Sequence, residues 1–242
     1  GAYASALLTT QLHWPFLVAL LCAGIIAAIC ACVLTFPAWK LSGHYVAIAT
    51  IGLGAVMVAL IRVAEPLTHG SLGITGIPFP TIFGSPLNTP QKIYLLDVAV
   101  LIAALVIVMR IQRAHLGHVF DAIGSDQEAS EAIGVRTGAY KALAYAIAAF
   151  LAGLAGSLLA HQYTYIDPTI FNSNMSLLIL TIIVLGGMNS PLGAVLGSII
   201  LIGAPELLRV VPEARILAYG ALLIIVIMFR PQGLFARNAT KG

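Results

Sequence analysis

Few residues in this chain could do chemistry, and many of its charges gather in one stretch. Only 9% of the 242 residues are charged and 60% are hydrophobic, yet residues 118–141, "HVFDAIGSDQEASEAIGVRTGAYK", hold six charged side chains. His115 and His118 lie one helical turn apart but have no third ligand nearby, so no metal site is predicted. No nucleophile, base and orienting group come together in the sequence. We therefore predict a protein that is not an enzyme and that holds no cofactor.

Ionisable residues inside apolar runs are the other candidates. Asp97 lies near one end of its run, and Glu206 has Arg209 three residues further on, which places this second pair on one helical face. We interpret Glu206 and Arg209 as a satisfied pair at the membrane interface. Both acids lie too near the ends of their runs to resemble the mid-bilayer site of an ion-coupled transporter, which stays as a weaker alternative.

The apolar runs that carry these groups define the class of the protein. Mean hydropathy is +1.01, and several runs approach the roughly 20 residues with which a helix crosses about 30 Å of hydrocarbon. We predict an all-α, polytopic transmembrane bundle, a single domain over residues 1–242, surrounded by membrane lipid. The opening "GAYASALL" is typical of the tail of a helix, so further N-terminal spans are expected. The seven predicted spans cover about 15–34, 44–61, 93–110, 139–161, 174–187, 191–209 and 214–229.

Lysine and arginine predict the orientation of these spans. With the 111–138 loop inside, eight of the twelve basic residues are cytoplasmic, and the inverse topology would leave only four there. The 62–92 loop is then outside and the C-terminus is cytoplasmic. Because the net charge is only +3 and the basic residues are dispersed, no nucleic-acid partner is predicted. The eight residues are Lys40, Arg110, Arg113, Arg136, Lys141, Arg230, Arg237 and Lys241.

The 111–138 loop is predicted to form short amphipathic helices instead of a span. Ser125 and Glu128 have the spacing of a capping box, which would begin a helix at Ser125. Gly134 suits the left-handed residue at which such a helix ends. Two interpretations stay open here: a surface that docks a partner, or a solvated loop whose charges keep it out of the bilayer.

Glycines predict close helix contacts and a break between two spans. The G-x-x-x-G pair in "GAVLG", residues 193–197, allows helix backbones to approach closely. The segment "ILTIIVLGGMNSPLGAV" is expected to break at Gly186 and Gly187, so that the flanking helices are tilted or cross only in part. Static packing is the alternative to a moving bundle for the G-x-x-x-G pair. Gly52 and Gly54 indicate local flexibility or a close backbone approach to a pathway.

Several motifs resemble one family of membrane proteins. Glu128, Ala129 and Ser130, followed after three residues by Gly134, resemble the "EAA, three residues, G" coupling motif of ABC importer permeases. Four segments extend the resemblance over nearly all of the chain: "LSGHYVAIATIGLGAV", "THGSLGITGIP", the run from "AFLAGLAGSLLAHQYTYIDPTIF" to "VLGGMNSPLGAV", and "RPQGLF". Together they resemble the branched-chain amino acid permease family of ABC importers, LivM type. One departure is "THGSLGI", where the family usually has T-G-G-P-x-G-I.

The resemblance implies a division of labour among several chains. This chain would be the permease that moves branched-chain amino acids across the bacterial cytoplasmic membrane. Its partners would be a homologous permease subunit, two cytoplasmic ATPase subunits and an extracytoplasmic solute-binding protein. Because the sequence contains no G-x-x-x-x-G-K-[ST], ATP hydrolysis would belong to the ATPase subunits. A permease for urea, short amides or another small solute stays open.

The family's functional positions map onto two groups of residues. The residues implied in coupling to the ATPase are Glu128, Ala129, Ala132 and Gly134. The residues implied in the pathway or the 62–92 loop are Gly52, Gly54, Thr68, Gly70, Gly73, Gly186 and Gly187.

Overall fold

The computed structural model describes residues 1–36, 44–82, 85–187 and 190–207, and the chain divides into two compact units, Gly1–Ser173 and Asn174–Gly242. The helices are α1 (Ala2–Thr10), α2 (Phe16–Thr35), α3 (His44–Val63), α4 (Glu65–Thr68), α5 (Pro90–Arg113), α6 (His115–Ser125), α7 (Gln127–Ala132), α8 (Thr137–Tyr163), α9 (Ser173–Gly186) and α10 (Pro191–Leu207). Two-residue strands form two antiparallel pairs, β1 (Ile74–Thr75) with β4 (Tyr165–Ile166), and β2 (Thr81–Ile82) with β3 (Ser85–Pro86).

The described helices confirm the all-α class, and four of them, or five spans if one bent pair is counted, have the length and composition of membrane spans. A fifth span is added if Ala49–Val63 and Glu65–Leu72, which meet at 79°, form one broken crossing. In α10 the described residues Pro191–Gly203 form an apolar helical stretch. The predicted span at 214–229 lies outside the described residues. In the described part of the chain, four helical segments are long and apolar enough to cross a membrane: Phe16–Thr35, Pro90–Arg113, Thr137–Tyr163 and Pro168–Gly186. The last of these is α9 together with the short helical turn that precedes it.

Helices α2 and α8 pack antiparallel, and small residues bring their backbones together. A Cβ atom built at Gly153 would lie 2.7 Å from the Ala23 carbonyl oxygen, and one at Gly24 would lie 2.7 Å from the Phe150 ring. Such contacts leave no room for a larger side chain, and they give the dispersion contact that drives helix association in lipid. The α2–α8 pair is therefore the rigid centre of the first unit.

Helix α1 and the 62–92 loop complete the first unit at the C-terminal end of α8. Ala6 and Ala160 are fully buried there, together with Ile166 from the segment after α8. Ile74 and Ile77 of the 62–92 loop join the same cluster. Because this loop places apolar side chains in the core, it folds back onto the helices as an ordered part of the unit.

The second unit contains a tight helical hairpin. Gly187 has φ +104°, a left-handed conformation that ends α9. A Cβ atom at Gly186 would clash with the Gly193 carbonyl oxygen, and one at Gly197 would lie 2.7 Å from the Ile182 carbonyl oxygen. The structure thus confirms the predicted break and gives the G-x-x-x-G pair a packing role.

The 62–92 and 111–138 loops lie at opposite ends of α8. The 62–92 loop meets α8 at His161, whose ring bonds to Pro78. The 111–138 loop meets it at Thr137 and Lys141. Since α8 has 27 residues, the two ends are separated by about 40 Å. This separation agrees with the prediction that the loops lie on opposite sides of a membrane.

Candidate functional site

The 111–138 loop begins with a sharp corner between α5 and α6. Ala114 leaves the helix with φ −82° and ψ 170°, and α6 begins at His115. A Cβ atom at Gly117 would collide with the backbone of Gln112, so glycine is needed where the two helices approach. The Phe120 ring then packs edge-on against Tyr140 of α8, with ring centroids 6.4 Å apart. These contacts hold α6 against the start of α8.

The predicted capping box at Ser125 is wrong by one residue. Ser125 is the last residue of α6, and its hydroxyl donates to the Asp121 carbonyl at 2.9 Å. Asp126 has extended backbone and caps α7, its Oδ1 accepting from the Ala129 amide at 3.0 Å. A carboxylate is favoured there because the amides at a helix N-terminus carry partial positive charge.

Gly134 ends α7 as the sequence predicts. Its φ is +87°. Its amide donates to the Glu131 carbonyl at 2.9 Å, and the Val135 amide donates to the Ser130 carbonyl at 3.1 Å. This pair of bonds is the Schellman arrangement, which satisfies carbonyls at a helix end and needs a left-handed residue.

Glu131 fastens α7 to the start of α8. Its Oε1 accepts from the Thr137 hydroxyl at 2.5 Å and from Gln127 Nε2 at 2.9 Å, while Lys141 Nζ donates to Gln127 Oε1 at 2.6 Å. The hydrogen bonds from Thr137 and Gln127, with the charge of Lys141, lower the pKa of the Glu131 carboxyl. Sequence reasoning missed this role, although the i, i+4 spacing of Gln127 and Glu131 was a signal for it.

The predicted coupling residues all lie at the surface. Glu128, Ala129, Ala132 and Gly134 are exposed, and a Cβ atom at Gly134 would meet no atom within 4 Å. Ile133 beside them is 80% exposed, and it lies in a segment outside the apolar spans. We call Glu128, Ala129, Ala132 and Ile133 the α7 patch. The capped helix beneath this patch presents a small apolar surface edged by acidic side chains.

In the 62–92 loop, Thr68, Gly70 and Gly73 shape the turn after α4. The Thr68 hydroxyl lies 2.6 Å from the Ile61 carbonyl oxygen and accepts from the Gly70 amide at 3.2 Å. Gly70 and Gly73 have φ of +58° and +72°, and a Cβ atom at Gly73 would collide with the Ile166 carbonyl oxygen. These residues therefore give the loop its path against β4.

A polar network, buried at Ser5, Ser157 and His161 and part-buried where it reaches Pro78, joins this loop to α1 and α8. Ser5 Oγ lies 2.6 Å from Ser157 Oγ and 3.0 Å from His161 Nε2, and His161 Nδ1 lies 2.7 Å from the Pro78 carbonyl oxygen. Ser5, Ser157 and His161 are each 0% exposed. We call these three residues with Pro78 the His161 network. Sequence reasoning missed it because its members are far apart along the chain.

A small cleft opens beside the turn of the 62–92 loop. Its volume is about 210 Å³. Apolar and polar groups share its lining, which comes from α1 and from the turn: Leu7, Thr10, Gln11, His69, Gly73, Ile74 and Thr75. The cleft is too small for a large ligand.

Other predicted positions have less defined surroundings. Cβ atoms at Gly52 and Gly54 would meet nothing within 4 Å, so their role in a pathway stays a prediction. Asp97 Oδ1 is buried and has no hydrogen-bond partner among the described residues. Within those residues no group of three or more His, Cys, Asp and Glu could hold a metal ion. The predicted pair of Glu206 and Arg209 lies outside what the structure describes of side chains.

Comparisons with known proteins agree on one family. The profile of the family described as branched-chain amino acid transport system / permease component matches residues 1–229. The permease protein LivM of Escherichia coli strain K12 is 32% identical, over 97% of this chain and 60% of that protein. LivH of Salmonella typhimurium strain LT2 is 32% identical over 64% of this chain and 50% of its own length. BraD of Pseudomonas aeruginosa PAO1 is 35% identical over 52% and 42%, respectively.

The chain spans about 60% of the length of the LivM relatives that it matches. No solved structure matches it significantly.

Proposed function

The chain belongs to the branched-chain amino acid permease family, and from this premise we propose that it is the permease subunit of an ATP-driven importer of branched-chain amino acids. The observation that carries the proposal is the family match over residues 1–229. The described helices agree with it, since four or five apolar helices make a multi-pass membrane protein. We further propose seven spans in one permease domain, in the bacterial cytoplasmic membrane.

The α7 patch is the proposed contact with a cytoplasmic ATPase subunit. Ile133, 80% exposed, would enter an apolar groove, and exposed Ala129 and Ala132 would allow close approach. Glu128 would lie at the rim, where charge affects orientation and association rate more than affinity. This assignment makes the 111–138 loop and the C-terminus cytoplasmic, and the 62–92 loop extracytoplasmic.

The contacts of α7 suggest how closure of the two ATPase subunits would be transmitted to the transport pathway. Glu131 and Gln127 connect α7 to Thr137 and Lys141, in the first two turns of α8. A displacement of α7 would therefore move the start of α8. Because α8 packs closely on α2 through Gly153, the two helices would move together and carry the change about 40 Å to the 62–92 loop.

A homologous permease subunit, two ATPase subunits and a solute-binding protein complete the proposed transporter. The chain itself would supply no catalytic group, and ATP would be hydrolysed by the ATPase subunits. The binding protein would hold the charged ends of the amino acid before delivery. A transient, weakly binding path in the permease would then suffice, which agrees with the few charged side chains in the apolar runs.

Docking is tested by exchanging Ile133 for glutamate and measuring how much ATPase subunit co-purifies. Val63, 79% exposed at the other end of the described bundle, gives a matched control. We expect Ile133→Glu to lose most of the bound ATPase and Val63→Glu to retain it. Equal retention by both variants would refute the docking assignment.

The solute class needs a separate test. Leucine, isoleucine and valine should compete for uptake of labelled leucine, whereas urea and acetamide should not. Effective competition by urea or acetamide would move the chain to the small-solute alternative while leaving the permease assignment in place.

A further inference from the structure

We propose that His161 is a positioning residue for solute delivery: through Pro78 it fixes the 62–92 loop in the position that receives the loaded solute-binding protein. This inference rests on the proposed importer function. The structure shows the bond between His161 and the Pro78 carbonyl of the loop. The proposed role of that bond is to hold the loop in place when the binding protein docks.

The hydrogen-bond partners determine which ring nitrogen of His161 carries the proton. The Pro78 carbonyl oxygen only accepts, so Nδ1, 2.7 Å away, must donate to it. In the neutral ring Nε2 then accepts from Ser5 Oγ at 3.0 Å, and Ser157 donates to Ser5 at 2.6 Å. Every polar atom in this buried chain of bonds has a partner, which gives the ring a single orientation.

Protonation would not break the network. A protonated ring would donate from Nε2 to Ser5, and the Ser5 hydroxyl would turn to donate to Ser157. The bond from Nδ1 to Pro78 is the same in both states. The His161 network is therefore a fixed attachment of the loop and not a pH switch.

The network also differs from a catalytic serine and histidine pair. Nδ1 is oriented by a backbone carbonyl, where hydrolases use a carboxylate. Ser5 and His161 are both 0% exposed, so no substrate reaches the hydroxyl. Holding the loop is the role that these contacts support.

The loop held by His161 lies at the C-terminal end of α8, the end that the proposed topology places outside the cytoplasm. The Ile77 amide donates to the Thr164 carbonyl at 3.2 Å, and β1 pairs with β4, so the loop is attached to the segment after α8 at neighbouring points. Leu72, 81% exposed, and Phe79, 41% exposed, project from this loop. Without the Pro78 bond, Pro78 and Phe79 would be held in place only through their neighbours Ile77 and the buried Pro80.

Two conservative substitutions separate the two sides of the ring. Asparagine places its amide nitrogen near the position of Nδ1, so His161→Asn keeps a donor for Pro78 and loses the Ser5 contact. Glutamine reaches the position of Nε2, so His161→Gln keeps the Ser5 contact and loses the Pro78 bond. His161→Leu removes both.

The primary readout is ATPase activity of the reconstituted transporter, titrated with loaded binding protein. We expect His161→Gln and His161→Leu to raise the half-saturating concentration by about five- to tenfold, the upper range for one lost hydrogen bond, with the maximal rate within about twofold. His161→Asn should stay within about threefold of the unmodified protein. If the Gln and Asn variants are affected equally, or Asn more than Gln, the positioning role through Pro78 is wrong.

A second readout follows the loop without transport. Phe79→Cys, next to Pro78 and 41% exposed in the unmodified protein, is labelled with a membrane-impermeant maleimide in the His161→Gln and His161→Asn backgrounds. Faster labelling in the Gln background alone supports the attachment, and equal rates refute it. If no loaded binding protein stimulates the ATPase activity of the unmodified transporter, the proposed function and the delivery role are both wrong. The labelling rates in the His161→Gln and His161→Asn backgrounds would still test whether His161 holds the loop through Pro78. The Asn and Gln pair suffices if His161→Leu does not assemble.

Discussion

Substitution of Gly134 by aspartate should uncouple the ATPase while leaving membrane insertion intact. Gly134 has φ +87° and open space around its missing Cβ, so the substitution meets a backbone penalty and no clash. A left-handed conformation costs a residue with a Cβ about 1–2 kcal/mol, with aspartate and asparagine at the low end because both visit this region most readily. A negative charge at a helix C-terminus adds about 0.3–1 kcal/mol.

These two costs act on a helix that has little stability of its own. Helix α7 has six residues, too few to be stable without its caps and its bonds to α8. A total of roughly 1.3–2 kcal/mol would reduce the docking-competent fraction by about 10- to 30-fold. Gly134→Asn is the matched control, because asparagine has the same size, no charge, and tolerates the left-handed region.

The assay titrates purified ATPase subunit onto the permease in lipid nanodiscs. We expect the apparent Kd to rise at least tenfold for Gly134→Asp and by severalfold less for Gly134→Asn, with equal amounts of both variants in the membrane. If the aspartate variant binds the ATPase and supports transport as well as the asparagine variant, the reasoning about the α7 patch is refuted.

Three further predictions concern the rest of the molecule. Hydrogen bonds and the charge of Lys141 lower the pKa of Glu131, so its contribution to the stability of the 111–138 loop is present above the unfolded carboxyl pKa and is lost as pH falls through the lower folded value. Limited proteolysis of this loop should therefore change little from pH 7 to about 5 and rise below about 4. In Glu131→Ala, proteolysis should be high throughout this pH range. Gly73→Ala should destabilise the first unit by about 1–3 kcal/mol in thermal unfolding, since φ is +72° and Ile166 blocks the Cβ; an unchanged Tm would contradict the β1–β4 contact. Asp97→Leu should not lower the Tm, because it removes an unpaired buried oxygen from an apolar span; a clear loss of stability would reveal a partner for this carboxylate.

The features that local sequence determines were predicted well. The spans at 15–34 and 139–161 correspond to α2 at Phe16–Thr35 and α8 at Thr137–Tyr163, since a long apolar run in water has few alternatives to a buried or membrane helix. The left-handed turn at Gly134 was also predictable, because few residue types fit it. The cap was misplaced because both Ser125 and Asp126 are good caps, and only the backbone path distinguishes them.

The features that depend on distant residues could not be predicted from the sequence. Ser5 and His161 are 156 positions apart, and Gly73 is explained only by the carbonyl of Ile166. In the charged stretch, Asp126 caps a helix and Glu131 bonds to α8, whereas Glu128 is exposed. The simple solvated-loop interpretation therefore accounts for only some of these charges. Docking of an ATPase on the rest stays a prediction.

The most direct test of the proposed function is uptake of labelled leucine by proteoliposomes that hold the protein with its partner subunits. ATP is supplied on the ATPase side, and ion gradients are collapsed. We expect uptake that requires both ATP and the loaded solute-binding protein. Uptake driven by an ion gradient without ATP would contradict the importer assignment, and the 111–138 loop would then be a solvated connection between spans.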